Sequence, residues 1–310
     1  MKNNLKMSNL IVKNKAFLSE LAALIDLRID GEDVIIDTLN LANRQTKYNS
    51  MLSYTTGLEF CKKILNNLSV KALIVNSVDF KIIRDYFQSH SRNLSYIIAE
   101  NAEYAFYDLH NKLWENTDFY DKYEWPYKVG KNCKIAPSAV IEDGVIIGDN
   151  VVIGHNSVLC GGTVVEDNVI IGCNCTIGSD GFQAIIGYRK PIKHIGSTII
   201  HKGVQIHDSV TIARSLFEDS TEVGSYTQIN NHVHFAHNSK CGEDCVICAS
   251  TTMFGSVTIG DRVWIAPNCA ILNKVVIEND AFVGAMSFVN RNVSAGTTVV
   301  GIPAKKFPKD

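Results

Sequence analysis

The sequence predicts a mainly β protein in which a parallel β solenoid, with three short strands to a coil, follows a small α/β domain. Two observations lead to this prediction. A six-residue hydrophobic period fills the C-terminal three-fifths of the 310-residue chain, and the residues before it show no such period. We therefore place the α/β domain and its linker at residues 1–125 and the solenoid at residues 126–310.

The six-residue period places a large aliphatic side chain at every sixth position. It runs in three stretches: 129–177, 200–212 and 223–289. Of these 24 positions, 21 are Val, Ile or Leu, which indicates one continuous buried face. Small or β-branched residues such as Ser157 and Thr163 come two positions earlier, and therefore on the same face of a strand. Glycines such as Gly148 and Gly154 often follow the aliphatic residue, where we expect a tight corner to need permissive backbone angles.

The N-terminal domain shows ordinary helix and strand patterns instead. Helices are predicted over 16–25, 80–90 and 101–116, strands over 33–39, 70–76 and 93–100, and the linker over 115–127. This domain serves either as a cap that stabilises the solenoid or an oligomer, or as a recognition domain for part of a substrate.

Composition excludes several classes of protein. The chain has 30 Lys and Arg against 32 Asp and Glu, which argues against a nucleic-acid binder, because phosphate neutralisation supplies most of such affinity. No apolar run approaches the roughly 18 residues that span a bilayer, and the N-terminus has no signal-peptide pattern. The nine cysteines of such a chain are expected as free thiols. These features predict a cytoplasmic protein with no membrane span.

The cysteines also fit the repeat. Four of them, at 133, 175, 245 and 269, take the small-residue position, and Cys241 takes the inward position. A zinc site built from Cys173 and Cys175, or from Cys241, Cys245 and Cys248, is the alternative. Because the register directs those side chains to different faces, we favour core packing and predict no metal site.

Two departures from regularity are the places where chemistry is expected. The first is an excursion over residues 179–194 that interrupts the period, and loops on rigid scaffolds often hold functional sites. The second is the segment 230–238, in which Val233 and Phe235 point inward and three histidines point outward. Histidine transfers protons near neutral pH. The alternative for the excursion is a loop that the fold tolerates without a function. The alternative for residues 230–238 is a polar outer face with an accidental cluster of histidines.

These segments carry a resemblance to a known family. The stretches Ser179-Asp180-Gly181-Phe182, His194-Ile195-Gly196 and Phe235-Ala236-His237-Asn238 resemble the UDP-3-O-acylglucosamine N-acyltransferases of lipid A synthesis. They resemble still more closely the relatives that N-acylate nucleotide-linked amino sugars for surface polysaccharides. Residues 17–22 and 30–31 are similar to the nucleotide-binding domain of that family.

The resemblance implies a left-handed parallel β-helix and a homotrimer with active sites between neighbouring solenoids. It also implies acyl transfer to the amino group of a nucleotide-linked amino sugar. The acyl donor would be acyl-CoA or an acyl carrier protein, used as a co-substrate, with no bound cofactor. A backbone N–H from the opposite subunit would stabilise the thioester oxygen.

The resemblance also implies roles for particular residues. His237 would be the catalytic general base. Substrate-binding roles fall to Asp180, Gly181, Phe182, His194, Asn231 and Asn238. The ending of the chain resembles that of acetyl-CoA-dependent solenoid enzymes, which implies that Lys305 and Lys306 lie near coenzyme phosphates.

The chain departs from the family pattern at several positions. Ala213 and Ser215 stand where relatives carry Asp and Gly, Lys274 stands near a second family histidine, and only Tyr54 could sandwich a uracil. Three alternatives therefore stay open. They are the lipid A enzyme proper, a zinc-dependent solenoid like a γ-class carbonic anhydrase using His232, His234 and His237, and a non-catalytic scaffold.

Overall fold

The computed structural model describes residues 15–44 and 46–307 and divides them into two compact units. The first unit comprises 15–122 together with 183–193, and the second comprises 123–182 together with 194–307. Residues 1–14, to which the signal-peptide expectation refers, lie outside the described residues.

None of the helices in the described part of the chain has the length and apolar character needed to cross a membrane.

The first unit is a five-stranded sheet with helices, as the α/β prediction requires. Its helices are α1 (Leu18–Leu24), α2 (Cys61–Leu65), α3 (Phe80–Ser89) and α4 (Ala102–Asn116). Its strands are β1 (Ala16–Phe17), β2 (Ile29–Asp30), β3 (Ile35–Ile36), β4 (Thr38–Leu39), β5 (Met51–Thr55), β6 (Val70–Asn76) and β7 (Ser95–Ala99). The sheet order is β2-β7-β6-β5-β4, with β2 antiparallel to β7 and the other pairs parallel.

Two of the predicted elements in this unit differ from the structure. The single strand predicted over 33–39 is two strands, because β3 pairs with β1 while β4 joins β5 in the larger sheet. The helix predicted from residue 16 begins at Leu18, because Ala16 and Phe17 form β1. The strand predicted over 70–76 is confirmed as β6.

Part of the excursion packs within the first unit, against α4. The Tyr104 hydroxyl donates to the Ile186 carbonyl at 2.6 Å, and Asp108 accepts hydrogen bonds from Tyr188 and Lys190. His110 is fully buried, which lowers its pKa to about 4. The excursion is therefore held by specific contacts and is not a loose loop.

The second unit is a parallel β-helix whose coils contribute one strand to each of three sheets. Sheet A contains β8 (Lys128–Val129), β11 (Ile146–Ile147), β14 (Thr163–Val165), β17 (Ser197–Ile200), β20 (Ser220–Val223), β23 (Lys240–Cys241), β26 (Thr258–Ile259) and β29 (Val276–Ile277). Sheet B contains β9 (Lys134–Ile135), β12 (Val152–Ile153), β15 (Ile170–Ile171), β18 (Gln205–Ile206), β21 (Gln228–Ile229), β24 (Val246–Ile247), β27 (Trp264–Ile265), β30 (Phe282–Val283), β32 (Thr298–Val300) and β33 (Lys305–Lys306). Sheet C contains β10 (Val140–Ile141), β13 (Val158–Leu159), β16 (Thr176–Ser179), β19 (Thr211–Ala213), β22 (His234–Phe235), β25 (Thr252–Met253), β28 (Ala270–Ile271) and β31 (Phe288–Val289).

The predicted inward face forms one continuous core. In regular coils each inward residue pairs with the residue 18 positions later, as Phe235 does with Met253, so equivalent side chains stack along the axis. The inward positions are buried from Ile147 to Val289. The prediction is wrong at the first coil, where Val129 is 41% exposed, because no described coil covers it on that side.

Gly178 has the left-handed φ expected of a corner glycine, at 84°, but other corner glycines have a different role. Gly148 and Gly154 do not have positive φ angles. A methyl group on Gly154 would lie 2.6 Å from the carbonyl carbon of Gly172, so glycine is needed because neighbouring coils approach closely. The left-handed conformation falls on other corner residues, such as Asn150 and Asn168, and asparagine tolerates it well.

The cysteines lie where the repeat predicts. Cys175, Cys241, Cys245 and Cys269 are buried in the core of the β-helix, and Cys133 packs against it. Burial raises the pKa of the Cys175 and Cys269 thiols. They therefore remain neutral thiols that pack as small apolar side chains.

Sheet A carries a line of charged side chains on its outer surface. His201 Nδ1 lies 3.2 Å from Glu166 Oε1, and its Nε2 lies 3.5 Å from Glu222 Oε2. The hydrogen bond to Glu222, followed by the charge of Glu166, raises the pKa of His201. The same hydrogen bond lowers the pKa of Glu222 to about 2. Both ring nitrogens thus face carboxylates, which favours the doubly protonated imidazolium.

This arrangement predicts a specific dependence of stability on pH. The raised pKa of His201 means that its contribution is complete below about pH 6.5 and declines as the pH rises through the folded value. The lowered pKa of Glu222 means that its contribution is complete above about pH 4.5 and declines as the pH falls towards 2. His201→Gln should therefore lower the melting temperature most between about pH 5 and pH 6, and less at pH 9.

Thermal unfolding of the wild type, His201→Gln and Glu222→Gln across this range measures the effect. In both variants the melting temperature should change less with pH over the range in which His201 titrates. A constant difference in melting temperature from pH 5 to pH 9 would contradict the prediction.

Candidate active site

His237 lies at the corner that follows β22, and its neighbour Asn238 fixes its orientation. The Leu216 N–H donates to Asn238 Oδ1 at 3.1 Å, so this amide atom is the oxygen. The same oxygen lies 3.0 Å from His237 Nδ1. Because a carbonyl oxygen only accepts, Nδ1 of the imidazole must donate, and Nε2 carries the lone pair. This is the tautomer that can act as a base through Nε2.

Asn238 is itself held by the β-helix. Its side chain is 7% exposed, and its Nδ2 donates to the Ser215 hydroxyl. Its backbone N–H donates to Thr221 Oγ1 at 2.8 Å. The side-chain amide is therefore fixed in one orientation, with its oxygen directed at His237 Nδ1. The role in substrate binding that the sequence suggested for Asn238 stays a prediction.

The imidazole of His237 lies in a narrow space between three neighbours. His194 is fully buried, and its ring centroid lies 5.3 Å from that of His237. A methyl group on Gly181 would lie 2.7 Å from His194 Nε2 and 2.8 Å from His237 Cβ. A methyl group on Gly255 would lie 2.7 Å from His237 Nε2. The structure thus brings Gly181 and His194 from the two ends of the excursion to His237.

Asp180 stands next to this group at the start of the excursion. Its side chain is 40% exposed, and its Oδ1 lies 3.6 Å from Arg214 Nε. The buried Arg214 also donates through Nε to the Gly178 carbonyl at 2.6 Å. Asp180 is therefore a partly exposed acidic group next to Gly181 in the chain, although Ala213 has no carboxylate.

The other predicted binding residues are distributed differently. Phe182 is 87% exposed. Asn231 lies at the preceding corner, where its Oδ1 accepts from the Asp208 N–H at 3.1 Å. Lys305 and Lys306 form the exposed strand β33, antiparallel to β32 at the end of sheet B. The binding roles of these four residues stay predictions.

The carbonic-anhydrase alternative depends on three histidines. His232 and His234 are exposed at successive positions on the outside of the β-helix, whereas His237 is partly buried and bonded to Asn238. Among the residues that the structure describes, no three His, Cys, Asp or Glu side chains lie close enough together to hold a metal ion.

Tyr54, the single candidate for contact with a nucleobase, packs inside the first unit. Its ring centroid lies 4.9 Å from that of Phe106, and its hydroxyl donates to Glu103 Oε1 at 2.9 Å. Burial raises the pKa of Tyr54, so the hydroxyl remains a donor. Its contacts are those of a packed core aromatic.

Sequence reasoning missed several residues of the site. Gly255 lies 18 residues after His237, and this one-coil spacing could have revealed it. Ser215 gave no such signal, because it holds Asn238 from the interrupted part of the repeat, and Thr221 takes an ordinary small-residue position of the repeat.

Comparisons with known proteins agree with this architecture. The family model described as "Bacterial transferase hexapeptide (six repeats)" matches residues 126–161, 145–179 and 256–291. A UDP-3-O-acylglucosamine N-acyltransferase from Caulobacter sp. (strain K31) is 33% identical over 135 residues, which are 43% of this chain and 39% of that protein. A relative of the same name from Campylobacter lari is 29% identical over 307 residues, 92% of each chain. The chain thus spans about two-fifths of the length of the relative from Caulobacter.

A solved structure shows the same fold. The UDP-N-acetylglucosamine acyltransferase from Campylobacter jejuni matches with a TM-score of 0.53 and 19% identity, covering 58% of this chain and 69% of that one. The second unit is therefore a left-handed parallel β-helix, as predicted. Parts of the chain therefore match the hexapeptide-repeat family model, and the relatives that it matches are named UDP-3-O-acylglucosamine N-acyltransferases.

The tautomer of His237 is directly testable. In the wild type, ¹⁵N chemical shifts of the neutral imidazole should show Nδ1 protonated and Nε2 unprotonated. Asn238→Ala removes the acceptor, so the imidazole should become a mixture of both tautomers. Asn231→Ala is the control, because it removes another amide that accepts a backbone N–H. A wild-type imidazole protonated at Nε2 would exclude the proposed orientation.

Proposed function

We propose that this protein is an N-acyltransferase that moves an acyl group from a thioester donor to the amino group of a nucleotide-linked amino sugar. The observation that carries the proposal is the orientation of His237. Its Nδ1 lies 3.0 Å from Asn238 Oδ1, so its Nε2 carries the lone pair, and this nitrogen lies on the side of the imidazole that faces Gly255. Similarity to the UDP-3-O-acylglucosamine N-acyltransferase from Campylobacter lari over 92% of the chain supports the reaction class.

The chemistry needs a base at this position. The sugar ammonium must lose a proton before its nitrogen can attack, and His237 Nε2 accepts the proton. The neutral nitrogen then bonds to the thioester carbonyl carbon, and the carbon–sulfur bond breaks. The nitrogen gives up a second proton, which passes to the departing sulfur, so that the products are an amide and a thiol. A placed imidazole contributes about 10²–10⁴-fold to such a step.

We assign supporting roles to the other residues of the site. The exposed carboxylate of Asp180 lies where it can bind a sugar hydroxyl or ammonium group. The α/β unit is proposed to bind the nucleotide, since the relative from Campylobacter lari aligns over both units. The donor is acyl-CoA or an acyl carrier protein, with Lys305 and Lys306 near its phosphates. The protein is proposed to act as a homotrimer with sites between copies, which light scattering can test.

The decisive experiment measures thiol release from acetyl-CoA and longer acyl-CoAs, with a panel of UDP- and dTDP-linked amino sugars. Release should require an amino sugar, and His237→Ala should lower turnover at least about a hundredfold while the protein remains folded. His232→Ala, on the exposed surface, is the matched control and should keep full turnover.

Other results would redirect the proposal. Donor activity with carrier-bound acyl chains alone would assign the acyl carrier protein as donor. Unchanged turnover in His237→Ala would remove this residue from the mechanism. Silence with both donor classes would contradict the acyltransferase function.

The close packing of Gly255 predicts a second effect on turnover. Gly255→Ala places a methyl group 2.7 Å from His237 Nε2, so the imidazole must move. We expect turnover to fall at least about tenfold, because small misplacements of a reacting group are costly. Gly57→Ala is the control, since a methyl group there meets no atom within 4 Å. Equal turnover in the two variants, measured with the same substrates, would show that His237 does not act from this position.

A further inference from the structure

We propose that Tyr123 and Arg214 form a positioning pair that holds both ends of the excursion, and thereby sets Asp180, Gly181 and His194 against His237. The role in catalysis rests on the proposed acyltransferase function. The structural role does not, and it can be measured separately. Both residues lie in the second unit and are buried, at 4% and 7% exposure.

Tyr123 packs against two glycines at a corner of the β-helix. Tyr123 has a left-handed φ of 57°. Gly144 and Gly162 also have left-handed φ angles, and each lies against it. A methyl group on Gly162 would lie 2.6 Å from the Tyr123 ring, and one on Gly144 would overlap its Cβ. Two successive coils therefore lack side chains at this corner where the tyrosine enters.

The hydroxyl of Tyr123 reaches the end of the excursion. It donates to the Ile195 carbonyl at 2.7 Å, in a buried position. Ile195 directly follows His194, whose ring packs on His237. The hydrogen bond therefore fixes the backbone one residue from the site. A phenylalanine would fill the same space without making this bond.

Arg214 reaches the beginning of the excursion. Its Nε donates to the Gly178 carbonyl at 2.6 Å and lies 3.6 Å from Asp180 Oδ1. Its guanidinium carbon lies 5.8 Å from the centroid of the Tyr123 ring, within the range of a cation–π contact. The planar guanidinium can meet the ring and the carbonyl together, which a lysine ammonium cannot do in the same way.

The contacts of Tyr123 and Arg214 reach the two ends of the excursion, at Ile195 and at Gly178, which are more than ten residues apart in the chain. Backbone hydrogen bonds already connect each end to residues 214–216: the Ile195 N–H donates to the Leu216 carbonyl at 3.1 Å, and the Arg214 N–H donates to the Ser179 carbonyl at 2.8 Å. The tyrosine and arginine add the side-chain contacts that determine how the two ends lie relative to each other. Because Asp180 and His194 sit at those ends, their distance from His237 depends on the pair.

Hydrogen exchange measured by mass spectrometry tests the structural part without any substrate. Tyr123→Phe should speed amide exchange in peptides covering 178–181 and 194–197 by about fivefold, as the loss of one buried hydrogen bond implies. Arg214→Lys should do the same. Tyr226→Phe is the matched control, because Tyr226 also has a left-handed φ and packs on a left-handed glycine, Gly203.

Turnover on the substrate panel tests the catalytic part. Tyr123→Phe and Arg214→Lys should each lower kcat at least about tenfold, with KM for the amino sugar changed less than about threefold. Tyr226→Phe should keep wild-type kcat. A purely structural role would lower the melting temperature and leave kcat at 25 °C unchanged.

The outcomes separate this inference from the proposed function. Unchanged exchange in Tyr123→Phe, or equal acceleration in Tyr226→Phe, would overturn the positioning pair. Faster exchange with full kcat would overturn its role in catalysis. Faster exchange in a protein whose wild type acylates no substrate would leave the pair standing and reject the acyltransferase proposal.

Discussion

The stacking of equivalent inward side chains along the β-helix is the constraint on which the rest of the second unit depends. Phe235 rests on Met253 one coil later and on Ile212 one coil earlier, and each contact requires the neighbouring coil to keep its register. A regular stack repeats the same surface every 18 residues. It can therefore produce a distinct site only where the repeat is interrupted. Both interruptions, at 180–196 and 214–219, fall in the coils directly before His237.

His237 consequently lies between the interrupted coils that precede it and the regular coils that follow it. The irregular side supplies the Leu216 N–H and the Ser215 hydroxyl that orient Asn238, together with the His194 ring. The regular side supplies Gly255, whose missing side chain leaves space for the imidazole, and the Ser256 N–H, which donates to the His237 carbonyl at 2.9 Å. This asymmetry fixes Nδ1 as the hydrogen-bond donor to Asn238, so that Nε2 carries the lone pair. The residues that orient Asn238 come from the interrupted part of the stack.

Two histidines of this β-helix show how the neighbours of an imidazole set its chemistry. His201 lies on a sheet surface between two carboxylates, which raise its pKa and favour the charged form. His237 contacts a neutral amide oxygen, which selects a tautomer without adding a negative charge. The first arrangement suits a structural ion pair. The second suits a group that must accept a proton.

The sequence by itself determined the β-helix, because a six-residue period with aliphatic side chains has one way to bury them all. It also singled out the excursion, which interrupts the period, and the segment 230–238, which places three histidines on outward positions. The choice of His237 among them came from the family resemblance. It could not assign the corner glycines, the split of residues 33–39 into two strands, or the exposure of Val129, which depend on neighbouring coils and strands. Only the tertiary structure brought Tyr123, Arg214, Ser215 and Gly255 to the site. These residues come from three separate parts of the chain, at 123, 214–215 and 255, and contacts across an interrupted stack leave no periodic signal in the sequence.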